Sequence, residues 1–253
     1  MDEALSGLMG SIDIGADTAL NHIGMRVGEE GDLLLIFEGE PGDPPNIDVE
    51  IPVSAVHLSG DSEIVISGDN HVLMRVFDRI LRVSASSFFQ VNTPMAEAMV
   101  THLLDNLPLD HDANVIEVFC GVGLFSVFLA PRVERLVAIE ESVRACEDFV
   151  FNLDEYDHVE LYEGTAEEVL PHLNMDPDIM IVDPPRSGLS RLVRDNILRL
   201  SPHILAYVSC DPSTLARDAR RLNEGGYTLR RITPFDLFPQ TYHIECISIW
   251  ERV

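Results

Sequence analysis

The chain has 253 residues, 46% apolar and 24% charged, a balance that excludes a disordered chain and suits one large domain or a domain with a smaller appendage. No apolar run approaches the roughly 20 residues needed to cross a bilayer, and Met1-Asp2-Glu3 is no basic leader, so a cytoplasmic soluble protein is expected. Four cysteines without a CxxC pair suggest neither a disulfide scaffold nor a metal or iron–sulfur site, and the net charge of −26 repels polyanions except where it is locally reversed.

Up to residue 83 the pattern is short apolar runs broken by turns, which predicts a small β-rich domain whose first 20 residues are frayed. Ile23–Val27 and Leu33–Phe37 flank Gly28-Glu29-Glu30-Gly31, a predicted hairpin. After a Pro/Gly-rich stretch from Glu40 to Pro45, Glu63–Ile66 and Val72–Val76 flank Gly68-Asp69-Asn70 and predict a second hairpin. The domain boundary is expected near residues 83 and 84.

From Asn114 the period changes. Apolar, β-branched runs at 115–119, 136–139, 159–162, 179–182 and 204–208 alternate with helical patterns at 124–129, 143–153, 166–173, 189–200 and 214–222. Such alternation predicts an α/β fold, a doubly wound Rossmann-like parallel sheet. Runs at 227–233 and 243–250 have no helix between them and predict an antiparallel hairpin at the sheet edge. Ligands of such sheets sit at the carboxyl ends of the strands.

The first of these strands ends in Phe119-Cys120-Gly121-Val122-Gly123, whose glycines let a ligand approach the backbone before a helix begins. Glu140 ends the second strand, 17 residues after Gly123, where a carboxylate can accept ribose hydroxyls. One glycine turn and one ribose acid suit an adenosyl ligand without a pyrophosphate, namely S-adenosylmethionine; a dehydrogenase is the alternative. Asp183-Pro184-Pro185-Arg186-Ser187-Gly188 forms a rigid extended rim that suits holding a planar group, or else a plain loop.

Cys210 precedes a helix capped by Asp211 with Pro212 at its first position. The helix N-terminus favours a thiolate there and Asp211 opposes it, so Cys210 reads as a nucleophile or a small core residue. Cys246 should face away from its neighbour Glu245. Glu245 opens an apolar strand beside an aromatic loop and can serve as a base whose pKa burial raises. His243 shares the face of Glu245 by period two, as a positioning or a structural group.

These stretches together resemble the RumA/TrmA-like RNA 5-methyluridine methyltransferase family. The resemblance is carried by Ser87-Phe88-Phe89-Gln90-Val91-Asn92, by Val118 to Ser126, by Asp183 to Gly188, by Tyr207-Val208-Ser209-Cys210-Asp211-Pro212 with Thr214 to Asp218, and by Phe235 to Glu245. The resemblance implies a class I methyltransferase catalytic domain over residues 84–253 and a shortened substrate domain over 1–83. It implies that Gln90, Phe119, Gly121, Glu140, Thr165 and Asp183 bind S-adenosyl-L-methionine, with Cys210 as nucleophile and Glu245 as base. The implied partner is an RNA, tRNA or rRNA, methylated at uridine C5.

Leu124 stands where some members carry an asparagine. The family's usual N-terminal RNA-binding domain and its iron–sulfur cysteines are missing, so no metal is expected. Arg186, Arg191, Arg194, Arg199, Arg217, Arg220 and Arg221 lie in residues 181–253, where 10 Arg face 8 acids, and are expected to bind phosphates. Two other readings stay open: methylation of an exocyclic amine held by Asp183-Pro184-Pro185, and a non-catalytic RNA-binding scaffold.

Overall fold

A computed structural model describes residues 12–14, 20–45, 47–49, 52–60 and 62–253. These fall into two compact units, divided between Ser87 and Phe88. The expectation about the first 20 residues lies outside the described residues, apart from one short strand.

The smaller unit holds strands β1 (Ile12–Ile14), β2 (Leu20–Val27), β3 (Leu33–Gly39), β4 (Ile47–Val49), β5 (Ser54–Ser59), β6 (Ser62–Ser67), β7 (His71–Val76) and β8 (Arg79–Ser84). The first predicted hairpin forms, with Val27 opposite Leu33. Strand β3 buries both faces: Leu34 and Ile36 pack with Val56, Val72 and Ala85, while Leu35 and Phe37 pack with Ala55.

The second predicted hairpin does not form. Strand β6 pairs with β5, and β7 pairs with β8, so the Gly68-Asp69-Asn70 turn passes the chain from one sheet to another. The Ser54 hydroxyl at the start of β5 accepts from the Asp69 N–H (3.0 Å), and the Asn70 carbonyl accepts from the Ala85 N–H (2.7 Å), which holds the turn open between the two sheets.

The larger unit begins with helix α1 (Thr93–Asn106), which the strand–helix alternation does not announce. Asn92 caps it by accepting from the Met95 N–H (3.3 Å), and Pro94 stands in its first turn. Then follow β9 (Asn114–Val118), α2 (Ser126–Leu129), β10 (Arg135–Glu140), α3 (Val143–Asn152), β11 (Val159–Glu163), α4 (Ala166–Val169), β12 (Ile179–Val182), α5 (Arg191–Leu200), β13 (Ile204–Ser209), α6 (Pro212–Glu224), β14 (Tyr227–Phe235) and β15 (Glu245–Arg252).

One seven-stranded sheet runs in the order β11-β10-β9-β12-β13-β15-β14. Strands β9 to β13 are parallel, and β15 lies antiparallel to both β13 and β14. The terminal hairpin thus forms, with its second strand inserted inside its first. Ile116 and Val118 of β9 join a buried cluster with Val193 and Ile197 of α5 and Leu215 and Leu222 of α6. Chain direction across the sheet reverses between β9 and β12, which is where ligands of doubly wound sheets settle.

Candidate active site

The parallel register brings the strand ends into one row. The Asp183 N–H donates to the Val118 carbonyl (3.2 Å), and the Phe119 N–H donates to the Ile139 carbonyl (2.9 Å), so Phe119, Glu140 and Asp183 leave the sheet side by side. Antiparallel pairing of Ser209 with Cys246 leaves Cys210 and Glu245 as the next facing positions, on strands about 5 Å apart. Two residues 35 positions apart in sequence therefore meet at one sheet edge. Cys246, on the opposite face of β15, joins the core as expected.

Each predicted site residue has a defined setting. Glu140 accepts from the Gly121 N–H through one oxygen and from the Ser142 N–H through the other, both at 2.9 Å. Each oxygen keeps a free lone pair, so the carboxylate is fixed yet still able to accept two hydroxyls. Phe119 turns out of the strand at φ 64, and Gly121 follows at φ 54, where a Cβ would meet nothing within 4 Å. Such an open backbone cradle beside a positioned carboxylate is the shape an adenosyl group needs.

A cavity of about 440 Å³ opens beside this turn, lined by Phe119, Glu141, Pro185 and Leu189 and by Arg191, Arg194 and Arg217, whereas Glu140, Asp183, Cys210 and Glu245 do not line it. That volume lies within the range of cofactor sites. Gln90 is buried, and the segment it belongs to is tied down by Asn92, whose Nδ2 donates to the Leu237 carbonyl (3.4 Å) ahead of Glu245. Thr165 caps α4, accepting from the Glu168 N–H while its hydroxyl donates to the Glu168 carboxylate (2.9 Å), so its hydroxyl already has a structural task.

Acidic groups crowd the row. Burial, then Glu245, Glu117 and Glu140, push the Asp183 carboxyl well above the usual carboxylate range. Burial raises Glu245 as well, with the Arg186 guanidinium pulling the other way. The Cys210 thiol is pushed up by burial, by Glu245 and by Asp183, and only partly drawn back by Arg186. Of the two opposing influences read from sequence, the pull of the helix start on Cys210 is the one outweighed: the Asp211 cap takes up the Ser213 and Thr214 N–H groups at the helix start. A row of carboxyls at the strand ends favours a cationic ligand, and S-adenosylmethionine carries a sulfonium and an ammonium.

Three polar groups near the site have settings that a local reading does not show. Glu117, on the face of β9 opposite to Ile116, is buried against Ser126, whose hydroxyl donates to it (2.5 Å). Burial, with Glu140 adding, pushes Glu117 up to about 8 against the Ser126 hydrogen bond. Folded Glu117 thus stays protonated between its ordinary 4.5 and about 8, where the unfolded chain has lost that proton. Stability must fall as pH rises through that window, by up to about 1.36 kcal/mol per pH unit for this group. Urea unfolding of Glu117→Gln should show the pH slope of stability reduced, and an unchanged slope would rule out the buried protonated acid.

Asp218 is the second. It is fully buried and accepts from Arg194 (2.7 Å), Arg217 (3.0 Å), the Tyr207 hydroxyl (2.9 Å) and the Leu189 N–H (2.9 Å). Burial alone would raise its carboxyl, and these donors more than offset that and lower it. The Leu189 bond clamps the Asp183 to Gly188 rim onto α6. Gly188 sits at φ 72 with Arg217 and Asp218 atoms 2.7 Å from where a Cβ would stand, so the clamp requires glycine.

The third is Arg186, which donates to His243 (3.0 Å). His243 lies ahead of β15, which starts at Glu245, so it does not share a strand face with Glu245 by period two.

The predicted arginine surface needs correction. Arg194 and Arg217 hold Asp218, Arg199 donates to the Leu170 (2.6 Å) and Leu173 (3.3 Å) carbonyls, Arg191 meets Asp195, and Arg221 meets Glu224. Arg194, Arg199 and Arg217 therefore knit the fold together, because burying Asp218 and the open carbonyls beneath α5 demands donors, while Arg191 and Arg221 make exposed pairs within their helices.

Residues 51–253 match a family model described as tRNA (Uracil-5-)-methyltransferase. An uncharacterized RNA methyltransferase of Oceanobacillus iheyensis is 33% identical over 253 residues, which is 90% of this chain and 55% of that protein. One of Streptomyces coelicolor is 36% identical over 227 residues, 87% of this chain and 50% of that protein. The chain thus spans about half the length of the curated relatives it matches. The crystal structure of Pyrococcus abyssi tRNA (uracil-54, C5)-methyltransferase with S-adenosyl-L-homocysteine superposes with TM-score 0.73 at 26% identity, over 92% of this chain and 60% of that one.

Proposed function

Because the chain belongs to the tRNA (uracil-5-)-methyltransferase family, we propose that it methylates uridine C5 in tRNA or rRNA through a covalent bond from Cys210 to C6. The observation that carries this reading is the convergence of Cys210 and Glu245 at one sheet edge beside Asp183. The family is S-adenosylmethionine-dependent, and the open Gly121 cradle, the fixed Glu140 and the acidic row fit that cofactor. Gln90, Phe119, Gly121, Glu140, Asp183 and Thr165 are the proposed binding residues. When bound, the cofactor supplies a methyl group made electrophilic by its sulfonium.

The residues of the chain do the rest. C5 of uracil is a weak nucleophile, so the Cys210 thiolate adds to C6 and sends the electron pair of the C5–C6 double bond toward C5 and the 4-carbonyl. C5 is then electron-rich enough to take the methyl. The tetrahedral C5 now carries both the methyl and its original hydrogen. Glu245 removes that hydrogen as a proton, the C5–C6 double bond re-forms, and Cys210 leaves as thiolate. Glu245 is suited to this because burial lifts its proton affinity toward that of a working base. Asp183 and Gln90 orient base and cofactor, an effect that can reach roughly 7–11 kcal/mol of barrier. Residues 1–83 are proposed as the small substrate domain, with catalysis carried by 84–253.

The test is product identity. Purified protein, methyl-labelled cofactor and unmodified tRNA and rRNA transcripts should yield 5-methyluridine on nucleoside digestion. Label confined to an N-methylated nucleoside would support amine methylation at the Asp183-Pro184-Pro185 rim instead.

A further inference from the structure

The loop that leads into β15 has no part in the thiol and proton chemistry, yet it is built with care. The Thr241 N–H and hydroxyl both reach the Phe238 carbonyl (3.1 and 2.7 Å), and the His243 N–H donates to the Thr241 hydroxyl (3.2 Å). The turn so fixed holds Tyr242 out in solvent at 89% exposure, the largest exposure of any bulky apolar or aromatic side chain among the described residues. Behind it stands the His243 ring, with centroids 4.2 Å apart and the planes tilted by 40°. His243 is braced in turn by an edge contact with Phe238 and by Arg186.

An aromatic ring left in water with a second ring against one face loses less freedom than a free one when a flat partner lies on its open face. Tyr242 is three residues from Glu245, so a partner on it would neighbour whatever Glu245 acts upon. Nucleic acid is the flat partner in reach. With a net charge of −26, and Arg194, Arg199 and Arg217 engaged by Asp218 and by main-chain carbonyls, phosphate attraction is weakened over the chain as a whole. Stacking carries no charge cost and works with any base.

We propose that Tyr242, backed by His243, is the platform on which a nucleobase flanking the target uridine stacks. The inference rests on the uridine reading above, and it deepens that reading by giving the target an unpaired, unstacked neighbour. Tyr242 is a positioning and affinity residue, remote from the bonds that change.

The experiment measures methyl transfer to unmodified tRNA and rRNA transcripts by wild type, Tyr242→Ala, Tyr242→Leu, Tyr242→Phe and Tyr242→Trp. Tyr242→Ala and Tyr242→Leu should raise KM for RNA roughly ten-fold, with kcat and the Kd for cofactor near wild type. Tyr242→Phe and Tyr242→Trp should retain the wild-type KM. The chain has one native tryptophan, Trp250, and it is buried, so RNA should quench the new exposed fluorophore of Tyr242→Trp. Wild-type KM in the alanine and leucine variants, alongside an active wild type, would overturn the platform. A wild type that transfers no methyl to uridine would instead overturn the reading beneath it.

Discussion

The Cys210→Ala protein is expected to bind cofactor as the wild type does and to methylate no RNA. In the proposed mechanism its loss removes the addition at C6 by which C5 gains electron density to take a methyl group. Cys210 is half-buried at the end of β13, and truncating it takes little from the core, so folding should survive. The thiol itself stands above its ordinary 9.0, pushed up by burial, Glu245 and Asp183. Thiolate is therefore scarce in the free protein at neutral pH. Alkylation of Cys210 by iodoacetamide should keep accelerating as pH passes 9.0, and a midpoint below that value would contradict the electrostatics described above. A cationic ligand beside the thiol acts in the opposite sense and draws the thiolate out. A Cys210→Ala protein that still turned over would leave amine methylation as the better account.

Glu245→Gln should lower turnover by roughly 10²–10⁴ while the covalent protein–RNA adduct accumulates on ordinary uridine. Two effects of one substitution combine here. Glutamine cannot take the C5 proton, so the methylated, Cys210-bound base has no way to regain its double bond. Removing the carboxylate also removes one of the two acidic charges that hold the Cys210 thiol up, which speeds the addition that precedes the block. Adduct should appear as a band retarded on a denaturing gel, dependent on cofactor and RNA together. Wild-type turnover in Glu245→Gln would assign the proton to another group. Loss of turnover with no adduct would place Glu245 before bond formation.

What sequence reveals about this protein is mostly what is local in the chain. The five parallel strands and their helices follow from apolar runs and turn residues, and Gly121, Glu140, Asp183 and Cys210 stand at strand ends as the alternation requires. Pairing between distant segments is where the local reading stops. Strands β6 and β7 look like a hairpin because a glycine turn joins them, but β6 finds a better partner in β5 and β7 in β8. Helix α1 hides because it stands ahead of the strand–helix alternation that begins at Asn114, although Asn92 and Pro94 are cues to its start.

Charge follows the same rule. The late arginines look like a polyanion-binding surface until Asp218 and the carbonyls of Leu170 and Leu173 are seen to engage three of them. Cys210 next to a helix start suggests a lowered thiol, and only the register of β13 with β15 shows the acid that raises it. Glu117 reads as one polar residue in an apolar strand, and nothing short of its burial against Ser126 shows it to be a protonated acid.

The most direct measurement uses RNA in which uridine is replaced by 5-fluorouridine. Fluorine at C5 cannot leave as a cation, so Glu245 has no proton to take and the bond to Cys210 should persist once the methyl is in place. Mass spectrometry of the digested adduct is predicted to find a methylated fluorouridine attached to the peptide bearing Cys210, with cofactor required for its formation. Full turnover on this RNA with no adduct, or an adduct on any other residue, would contradict the account.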